Sequence, residues 1–431
     1  MNDRPLTYVT SGSSDQEPLT PAHLLYGRRF TTLPYQNSTD DSATNTNLNS
    51  RLISTSKTSA EERFDICVVG AGLSGAVIAE RYASTTNKTI SMIEKRNHIG
   101  GNCYDYTDIE TGIRVSKYGV HLFHTKYDRV WSYIQQFGKW VPYELKVQAL
   151  IQGKHVPVPV NIDTVNTLFN IRISNADEMK NWLQNVQIHY NRYPINSEEV
   201  ILSRVGKVLY EYIFKPYTFK KWNKTPAELD PSVLGWIPVR TNWDNRYFTD
   251  PYQAVPKEGY TKMIENMLNS TLITLKLNTD YFKVSERMEC GKTFFTGPID
   301  RYHAKFGLDP LEYRSLLFER KVIKNVKHFQ PTLIVTHPSS VENFTRIVEY
   351  KWLDHEKYNS NDTVIFIERS TDIGEPYYPV PNKMNEDLYK KYQAYTQLES
   401  NLHFLGRSAK YEYFDMDEAI KNALDTFYSV S

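Results

Sequence analysis

The chain has 431 residues, which predicts several domains because a single hydrophobic core rarely exceeds roughly 250 residues. With 40% hydrophobic and 23% charged residues it is not wholly disordered, and its net charge of +1 excludes bulk attraction to nucleic acid or membranes. It has no run of ~18 apolar residues, no apolar stretch after Met1 and three widely spaced cysteines, which predicts a cytoplasmic protein without a membrane span, disulfide framework or metal site.

Residues 1–63 come first, and their Ser, Thr and Asn content predicts a disordered tail. The stretch from Gln36 to Asn47 has almost nothing to bury and no hydrophobic period. Acidic residues such as Asp40 and Asp41 argue against a transit peptide. A solvated spacer is the simplest interpretation and a regulatory segment is the alternative, with the folded body predicted to begin near Phe64.

The next segment predicts one strand–helix–strand unit, which requires a parallel sheet. Apolar runs and helical spacing place its three elements at 64–69, 76–83 and 89–94. Gly70, Gly72 and Gly75 form a GxGxxG motif between the first strand and the helix, where glycines permit a tight turn, approach of a pyrophosphate and close helix packing. Glu94 ends the second strand, where its carboxylate can accept ribose hydroxyls. The segment therefore predicts a Rossmann-like dinucleotide-binding domain.

A second glycine pair distinguishes FAD from nicotinamide as the cofactor. Gly100 and Gly101 lie between Lys95 and Asn102, and this EKxxxxGGN pattern is typical of FAD proteins. Near the C-terminus, Gly406-Arg407 precedes a helix and offers a second approach to a flavin. FAD is therefore the predicted cofactor.

The rest of the chain changes pattern twice. Helical spacing from about 163 to 230 predicts a helical insertion, and short β-rich runs at 236–260 and 330–380 predict an antiparallel sheet. Strand, turn and helix character returns after residue 402. The predicted fold class is α/β, an FAD-binding Rossmann-like domain with an inserted helical bundle and an antiparallel β-sheet domain.

Ordered motifs make residues 64–428 resemble the bacterial type of the UDP-galactopyranose mutase family. These motifs are GAGLSGAVIAE, IEKRNHIGGN, KYGVHLFHT, PYTFKKW, IPVR, DPYQAVPKEGYT, TGPID, LEYRSL, EPYYPV and GRSAKYEYFDM. The resemblance implies a fold of three parts. Their approximate limits are 64–160 for the first part of the FAD-binding domain, 161–230 for a helical substrate-binding bundle, 231–256 and 325–385 for the antiparallel sheet, and 257–324 and 386–431 for the return to the FAD domain.

The resemblance also implies an activity: an FAD-dependent isomerase that interconverts UDP-galactopyranose and UDP-galactofuranose, for galactofuranose biosynthesis. In this family, N5 of the reduced flavin is understood to attack the anomeric carbon and displace UDP, and the ring opens through a flavin–sugar iminium. The implied partners are a UDP-sugar substrate, an external flavin reductant such as NAD(P)H or a reductase, and further copies of the chain in a homo-oligomer. The alternatives are a mutase for another NDP-sugar, an amine-oxidase-like FAD oxidoreductase, and an FAD-binding protein without catalysis.

The resemblance assigns site residues as well. His121, Arg314 and Arg346 match the catalytic groups, with His121 against the flavin ring or, alternatively, a packed or capping histidine. The implied FAD contacts are Gly70, Gly72, Ser74, Gly75, Glu94, Lys95, Gly101, Asn102, His121, Leu122, Gly406, Arg407, Asp415 and Met416. The implied substrate contacts are the uridine platform of Tyr217, Thr218 and Trp222, and the diphosphate groups Tyr247, Tyr378 or its neighbour Tyr377, Tyr413, Arg314 and Arg346.

One position departs from the family pattern. The family carries a mobile-loop arginine fourteen residues after the platform tryptophan, and Trp236 occupies that position here. A charge-assisted contact of roughly 1.5–3 kcal/mol would then be absent. Three explanations are open: Arg240 or a lysine replaces the contact, the sugar nucleotide differs from UDP-galactose, or activity is weak. The Asp309-Pro310 insertion is a second, smaller difference.

Overall fold

The computed structural model describes residues 62–353, 361–397 and 399–431. The predicted disordered tail lies outside the described residues, except that Glu62 and Arg63 belong to the first strand, so the fold begins slightly before Phe64. The described strands are β1 (Glu62–Val69), β2 (Ile90–Ile93), β3 (Asp105–Thr107), β4 (Arg114–Ser116), β5 (Phe123–Thr125), β6 (Trp140–Pro142), β7 (Val147–Ile151), β8 (Lys154–Val158), β9 (Tyr252–Pro256), β10 (Ile273–Lys276), β11 (Met288–Phe295), β12 (Tyr313–Ile323), β13 (Ile334–Thr336), β14 (Arg346–Glu349), β15 (Thr363–Thr371), β16 (Tyr378–Pro379) and β17 (Leu402–Phe404).

Helices connect these strands and form one separate cluster. The described α-helices are α1 (Leu73–Thr86), α2 (Asp128–Ile134), α3 (Ile162–Phe169), α4 (Ala176–Val186), α5 (Ser197–Leu209), α6 (Lys215–Trp222), α7 (Ser232–Gly235), α8 (Tyr260–Met267), α9 (Tyr281–Val284), α10 (Ile299–Tyr302), α11 (Lys383–Thr396), α12 (Arg407–Lys410) and α13 (Met416–Val430). Within the described ranges, none of them combines the length and apolar character needed to cross a bilayer.

A parallel sheet of five strands, in the order β10-β2-β1-β11-β17, carries the predicted dinucleotide motif. The last four residues of β1 and all of β2 are buried, as expected for strands covered on both faces. α1 and α13 share the core of this sheet, where Ile66 and Ala76 meet Ile420 and Leu424. The predicted parallel strand–helix–strand unit is confirmed.

A second sheet of seven strands, in the order β16-β12-β15-β14-β13-β7-β8, is antiparallel except for the pair β13 and β7. Its membership differs from the predicted domain limits in three places. β7 and β8 were assigned to the FAD-binding part, as was β12, yet all three belong to this sheet. β9, assigned to the antiparallel domain, instead joins β5 and β6 in a small sheet. Hydrophobic pattern identifies a strand but not its distant partner, which explains these differences.

The helical cluster spans α3 to α7 and surrounds its own hydrophobic core, which includes Ile162, Met179 and Leu209. α5 bends at Gly206, where φ is 75° and a Cβ would lie 2.2 Å from the carbonyl oxygen of Val186. A π-helical turn follows at Tyr210–Phe214 and leads directly into α6. This irregular backbone sets the direction of α6, which carries three of the predicted substrate contacts.

The prediction that the cysteines form no disulfide is wrong. Cys67 of β1 and Cys290 of β11 form a disulfide with their Cα atoms 5.7 Å apart, although the sequence pattern predicted none. They are separated by 223 residues and become neighbours only because β1 and β11 pair. Cys103 is free and buried.

Candidate active site

A cleft opens at the carboxyl ends of the parallel strands, where loops leaving adjacent strands surround a common space. Its walls include Val69, Ile93 and Phe295, which end β1, β2 and β11. Gly406 and Arg407, shortly after β17, line the same cavity. Four adjacent strands of the sheet therefore deliver their loops to one site.

Two glycine segments touch each other at the wall of this cleft. A Cβ on Gly101 would lie 2.8 Å from the Cα of Gly72, so the contact excludes a side chain at Gly101. Gly72 is the residue before α1, and no side chain caps the first amides of this 14-residue helix. Uncapped amides at a helix N-terminus, beside bare glycine backbone that a ligand can approach closely, suit the negative charge of a pyrophosphate.

Glu94 lies at the end of β2 and is 6% exposed. Its carboxylate accepts the backbone N–H of Ala71 at 2.8 Å and that of Arg96 at 2.8 Å. These bonds hold the acid against the glycine turn. Each carboxylate oxygen has two lone pairs, so Glu94 can still accept a hydroxyl from the cavity it lines.

Most of the predicted cofactor contacts line the cavity. They are Gly70, Gly72, Ser74, Glu94, Lys95, Gly101, Asn102, His121, Gly406, Arg407, Asp415 and Met416. Gly75 and Leu122 do not. Gly75 serves packing, because a Cβ there would lie 2.0 Å from the Gly70 carbonyl oxygen, and Leu122 packs against the core of the large sheet.

Two further loops line the cavity without having been predicted as contacts. One is Thr296, Gly297 and Pro298 after β11, and the other contains Glu375. Glu375 pairs with Lys95 at 3.0 Å and also with Arg96, which ties its loop to the end of β2. Both loops lie in the motifs TGPID and EPYYPV, so the sequence signal was present without an assigned role.

His121 lines the cavity with its Nδ1 2.8 Å from the carbonyl oxygen of Gly119. Burial, assisted by the positive charge of Arg407, lowers the pKa of His121 to about 4. The imidazole is therefore neutral at neutral pH, and Nδ1–H donates to Gly119 while Nε2 remains an acceptor.

The depressed pKa of His121 predicts a loss of stability on acidification. Above about pH 6.5 the histidine is neutral in both folded and unfolded chains, whereas between 6.5 and about 4 only the unfolded chain takes up the proton. His121→Gln should therefore lose less stability than the parent over this interval, by up to ~3 kcal/mol. Urea unfolding midpoints at pH 6.5 and at about pH 4 measure this loss of stability. His189→Gln is the control, because His189 is exposed. Equal losses in the parent and His121→Gln would contradict the prediction.

A second group of side chains adjoins the cavity, and we name it the tyrosine–cation cluster. It consists of Tyr217, Tyr247, Tyr378, Tyr413, Arg346, Lys221 and Arg407. Tyr378 and Tyr413 are stacked with ring centroids 5.6 Å apart. The guanidinium of Arg407 lies 4.9 Å from the Tyr413 ring and 5.5 Å from the Tyr378 ring. Because Arg407 also lines the cavity, the two parts of the site meet at this residue.

Arg346 begins β14, and its Nε lies 2.5 Å from the Oε2 of Glu368 on β15. Burial alone would lower the pKa of Arg346, but the charge of Glu368 and nearby tyrosines raise it above its usual value, so the residue stays cationic. Burial raises the pKa of Tyr217 to about 12 and raises the pKa of Tyr378. The hydroxyls therefore remain protonated and can donate hydrogen bonds to an anion.

Some predicted substrate residues lie outside this cluster. Arg314 is 3% exposed, donates from Nε to the Lys221 carbonyl oxygen at 2.9 Å and pairs with Asp372, so it anchors the end of α6. The ring of Tyr377 lies between its neighbours, with its centroid 6.3 Å from that of Tyr118 and 6.4 Å from that of Tyr378.

Two residues of the predicted uridine platform are buried supports. Trp222 is 4% exposed, packs with Leu229 and Val380, and presents its ring edge to Tyr378. Thr218 is 2% exposed. Tyr217 is the member of the predicted platform that stays partly exposed.

Trp236 follows α7 and is 52% exposed, with its ring packed edge-on against Tyr247 at 5.9 Å. Arg240 is 8% exposed and donates to the backbone carbonyl oxygens of Asp244 and Arg246. Through these hydrogen bonds, the guanidinium of Arg240 stabilises the turn that precedes Tyr247. The structure therefore gives no support to the explanation that Arg240 replaces the loop arginine.

Comparison with known proteins adds to this geometry. The chain matches the family model described as UDP-galactopyranose mutase over residues 212–413, and that of NAD(P)-binding Rossmann-like domains over residues 68–137. It is 36% identical over 369 residues to a probable UDP-galactopyranose mutase of Klebsiella pneumoniae, covering 84% of this chain and 93% of that protein. It is 35% identical over 373 residues to the dTDP-fucopyranose mutase of Escherichia coli, covering 84% and 96%. The crystal structure of a reduced UDP-galactopyranose mutase shares the fold, with a TM-score of 0.66 at 17% identity over 85% of this chain and 95% of that one.

Proposed function

The chain belongs to the UDP-galactopyranose mutase family of isomerases, and on that premise we propose that it interconverts UDP-galactopyranose and UDP-galactofuranose with reduced FAD as its cofactor. The observation that supports this most is the meeting of two sites at Arg407. One is a glycine-lined cavity at the edge of the parallel sheet, and the other is the tyrosine–cation cluster. A redox cofactor and a diphosphate ligand would therefore be neighbours.

The cavity fits FAD by its backbone and by its charges. The bare backbone of Gly72 and Gly101, which both line the cavity, would let the pyrophosphate approach the N-terminus of α1, and Glu94 would accept a hydrogen bond from a ribose hydroxyl. His121 and Arg407 line the part of the cavity nearest the cluster, where they would flank the isoalloxazine ring. When bound and reduced, FAD would supply a nucleophile, its N5, for the anomeric carbon of the sugar.

The residues of the cluster would hold the diphosphate as it leaves the sugar. Arg346 stays cationic beside Glu368, and the hydroxyls of Tyr217 and Tyr378 stay protonated, so all three can donate to phosphate oxygens. Because these groups are already positioned by packing, charge that develops on the leaving group is stabilised without large rearrangement. In this role the chain binds and orients the substrate, and no acid–base triad is required.

The proposal also concerns partners. The isomerisation involves no net redox change, so the flavin must be reduced once by an external donor such as NAD(P)H or a reductase. A UDP-sugar is the substrate, and a homo-oligomer is the expected assembly by analogy with the family.

The experiment is anaerobic incubation of the dithionite-reduced chain with UDP-galactofuranose, followed by HPLC separation of the sugar nucleotides. We expect UDP-galactopyranose to accumulate, and the same chain left oxidised is the matched control. Absence of UDP-galactopyranose in the reduced sample would overturn UDP-galactose as the sugar nucleotide.

A second sugar nucleotide is a candidate because of Trp236. This residue places a neutral ring beside Tyr247 where the family pattern carries an arginine, and one relative acts on dTDP-fucose by its name. The same HPLC assay with dTDP-fucopyranose distinguishes the two candidates, since the preferred substrate should show the higher kcat/KM.

An amine-oxidase-like oxidoreductase that shares only the cofactor domain is disfavoured. The similarity to mutases covers 84% of the chain rather than the cofactor domain alone. Moreover, the cations Arg346, Arg407 and Lys221 suit an anion and would repel a protonated amine.

A further inference from the structure

Lys221 lies in the last turn of α6, with its ammonium among three aromatic rings. Nζ is 5.2 Å from the ring centroid of Tyr378, 5.3 Å from that of Trp222 and 5.6 Å from that of Tyr413. Ring faces attract a cation, so the ammonium is held at a defined place in the tyrosine–cation cluster. Its neighbour Lys220 differs, because that side chain points to the opposite side and donates to the carbonyl oxygens of Ser339 and Phe344.

The ammonium of Lys221 differs from that of Lys215 on the same helix in its carboxylate neighbours. Among the described residues, no carboxylate lies within ion-pair distance of its ammonium, whereas Lys215 at the other end of α6 pairs with Glu211 at 3.0 Å. Burial lowers the pKa of Lys221, and the charges of Arg346 and Arg407 add to the decrease, whereas Tyr378 and Asp415 act in the opposite direction. The three cations of the cluster thus face two carboxylates, Glu368 beside Arg346 and Asp415, which leaves one positive charge for an anionic ligand to balance.

The loop that follows α7 does not supply a positive charge at Trp236. Trp236 is neutral, and Arg240 is 8% exposed, with its Nη1 donating to the carbonyl oxygens of Asp244 and Arg246. The surplus cation therefore comes from helix α6 and not from the loop. Lys221 and Trp236 border different tyrosines of the same cluster: Trp236 packs on Tyr247, and Lys221 lies over the rings of Tyr378 and Tyr413.

We propose that Lys221 donates to the diphosphate of the sugar nucleotide and supplies, from α6, the positive charge that the loop lacks at Trp236. An ammonium is a compact point charge that does not need the planar geometry of a guanidinium, so it can reach either phosphate from this position. The proposal rests on the proposed function for the identity of the sugar nucleotide, but the contact itself requires only a nucleoside diphosphate.

The test compares UDP with uridine as ligands of the full-length, flavin-containing chain, by isothermal titration calorimetry. Lys221→Gln should weaken UDP binding by about 10- to 100-fold, the range expected for loss of a charge-assisted hydrogen bond. Uridine, which has no phosphate, should bind within about twofold of the parent. Lys221→Arg keeps the charge and should stay near the parent for UDP, and Lys215→Gln should change neither ligand.

The ratio of UDP to uridine affinity is measured within each variant, so a general loss of folded protein changes both ligands together and leaves the ratio unaltered. The proposal would be overturned if the ratio of UDP to uridine affinity in Lys221→Gln equalled that of the parent. It would also be overturned if Lys221→Arg lowered this ratio as much as Lys221→Gln does. This outcome is separate from the isomerase assay. If the chain forms no UDP-galactopyranose from UDP-galactofuranose but the ratio is altered in Lys221→Gln, the Lys221 contact stands; if the chain is active but the ratio is unaltered, the contact is overturned.

Discussion

Gly72→Ala should give a folded chain that binds FAD roughly 10- to 100-fold more weakly than the parent, since a methyl group forced into an occupied contact costs ~1–3 kcal/mol. Gly72 has φ −79° and ψ −175°, a conformation open to any residue, and its Cβ would lie 3.6 Å from the Cα of Gly101, an ordinary contact. The substitution therefore leaves the fold unstrained. Because Gly72 lines the cavity, the added methyl occupies the place at which the pyrophosphate would approach the N-terminus of α1.

Flavin content after purification and FAD titration of the apoprotein measure this effect. Gly138→Ala is the matched control, because its added Cβ meets nothing within 4 Å. Equal melting temperatures of the two variants would show that both are folded. FAD binding by Gly72→Ala equal to that of Gly138→Ala would contradict placement of the pyrophosphate against the backbone of Gly72.

Arg346→Met should have the largest effect on the nucleotide, with UDP binding weakened by about 100-fold or more. The substitution removes a cation of the cluster and also leaves Glu368, whose side chain is 2% exposed, without its partner. Breaking a buried ion pair in this way costs roughly 3–5 kcal/mol of stability. Weaker UDP binding by Arg346→Met could therefore arise from loss of the cation or from loss of stability.

The double variant Arg346→Met/Glu368→Gln separates them. Removal of the buried charge should restore most of the stability in urea unfolding, whereas UDP affinity should remain low because the cation is still absent. Arg369→Met is the control, since Arg369 pairs with Glu319 near the surface, with 31% and 37% of their side chains exposed. Recovery of UDP affinity in the double variant would show that Arg346 supports the fold and does not contact the diphosphate.

Local sequence patterns predicted those parts of the site in which neighbours in sequence are neighbours in space. The turn from β1 to α1 and the acid at the end of β2 belong to one compact unit, so Gly70, Gly72 and Glu94 could be placed before the structure was known. The C-terminal Gly406-Arg407 segment also reaches the cavity, as predicted from its glycine before a helix.

What the sequence did not predict depends on pairing between distant segments. The disulfide between Cys67 and Cys290 requires β1 to lie beside β11, and the place of β12 in the large sheet requires its pairing with β15. Lys221 was missed for the same reason. Its tyrosine neighbours come from segments more than 150 residues away, and nothing in PYTFKKW distinguishes it from the adjacent Lys220.

Burial of two predicted substrate contacts could not be foreseen from their motifs. Arg314 and Trp222 are 3% and 4% exposed, with Arg314 hydrogen-bonded to the end of α6 and Trp222 packed against Leu229 and Val380, and their contact with a ligand stays a prediction. A motif identifies a residue as part of a site without stating whether it contacts the ligand or supports a residue that does.

The central claim is that the glycine-lined cavity holds FAD beside the tyrosine–cation cluster. Heat denaturation of the purified chain and HPLC of the released material test it most directly. We predict one FAD per chain, because the bare glycine backbone at the N-terminus of α1 and the carboxylate of Glu94 are suited to its pyrophosphate and ribose. A colourless chain that takes up no FAD, or one that releases FMN, would contradict the claim, since neither result involves a dinucleotide in this cavity.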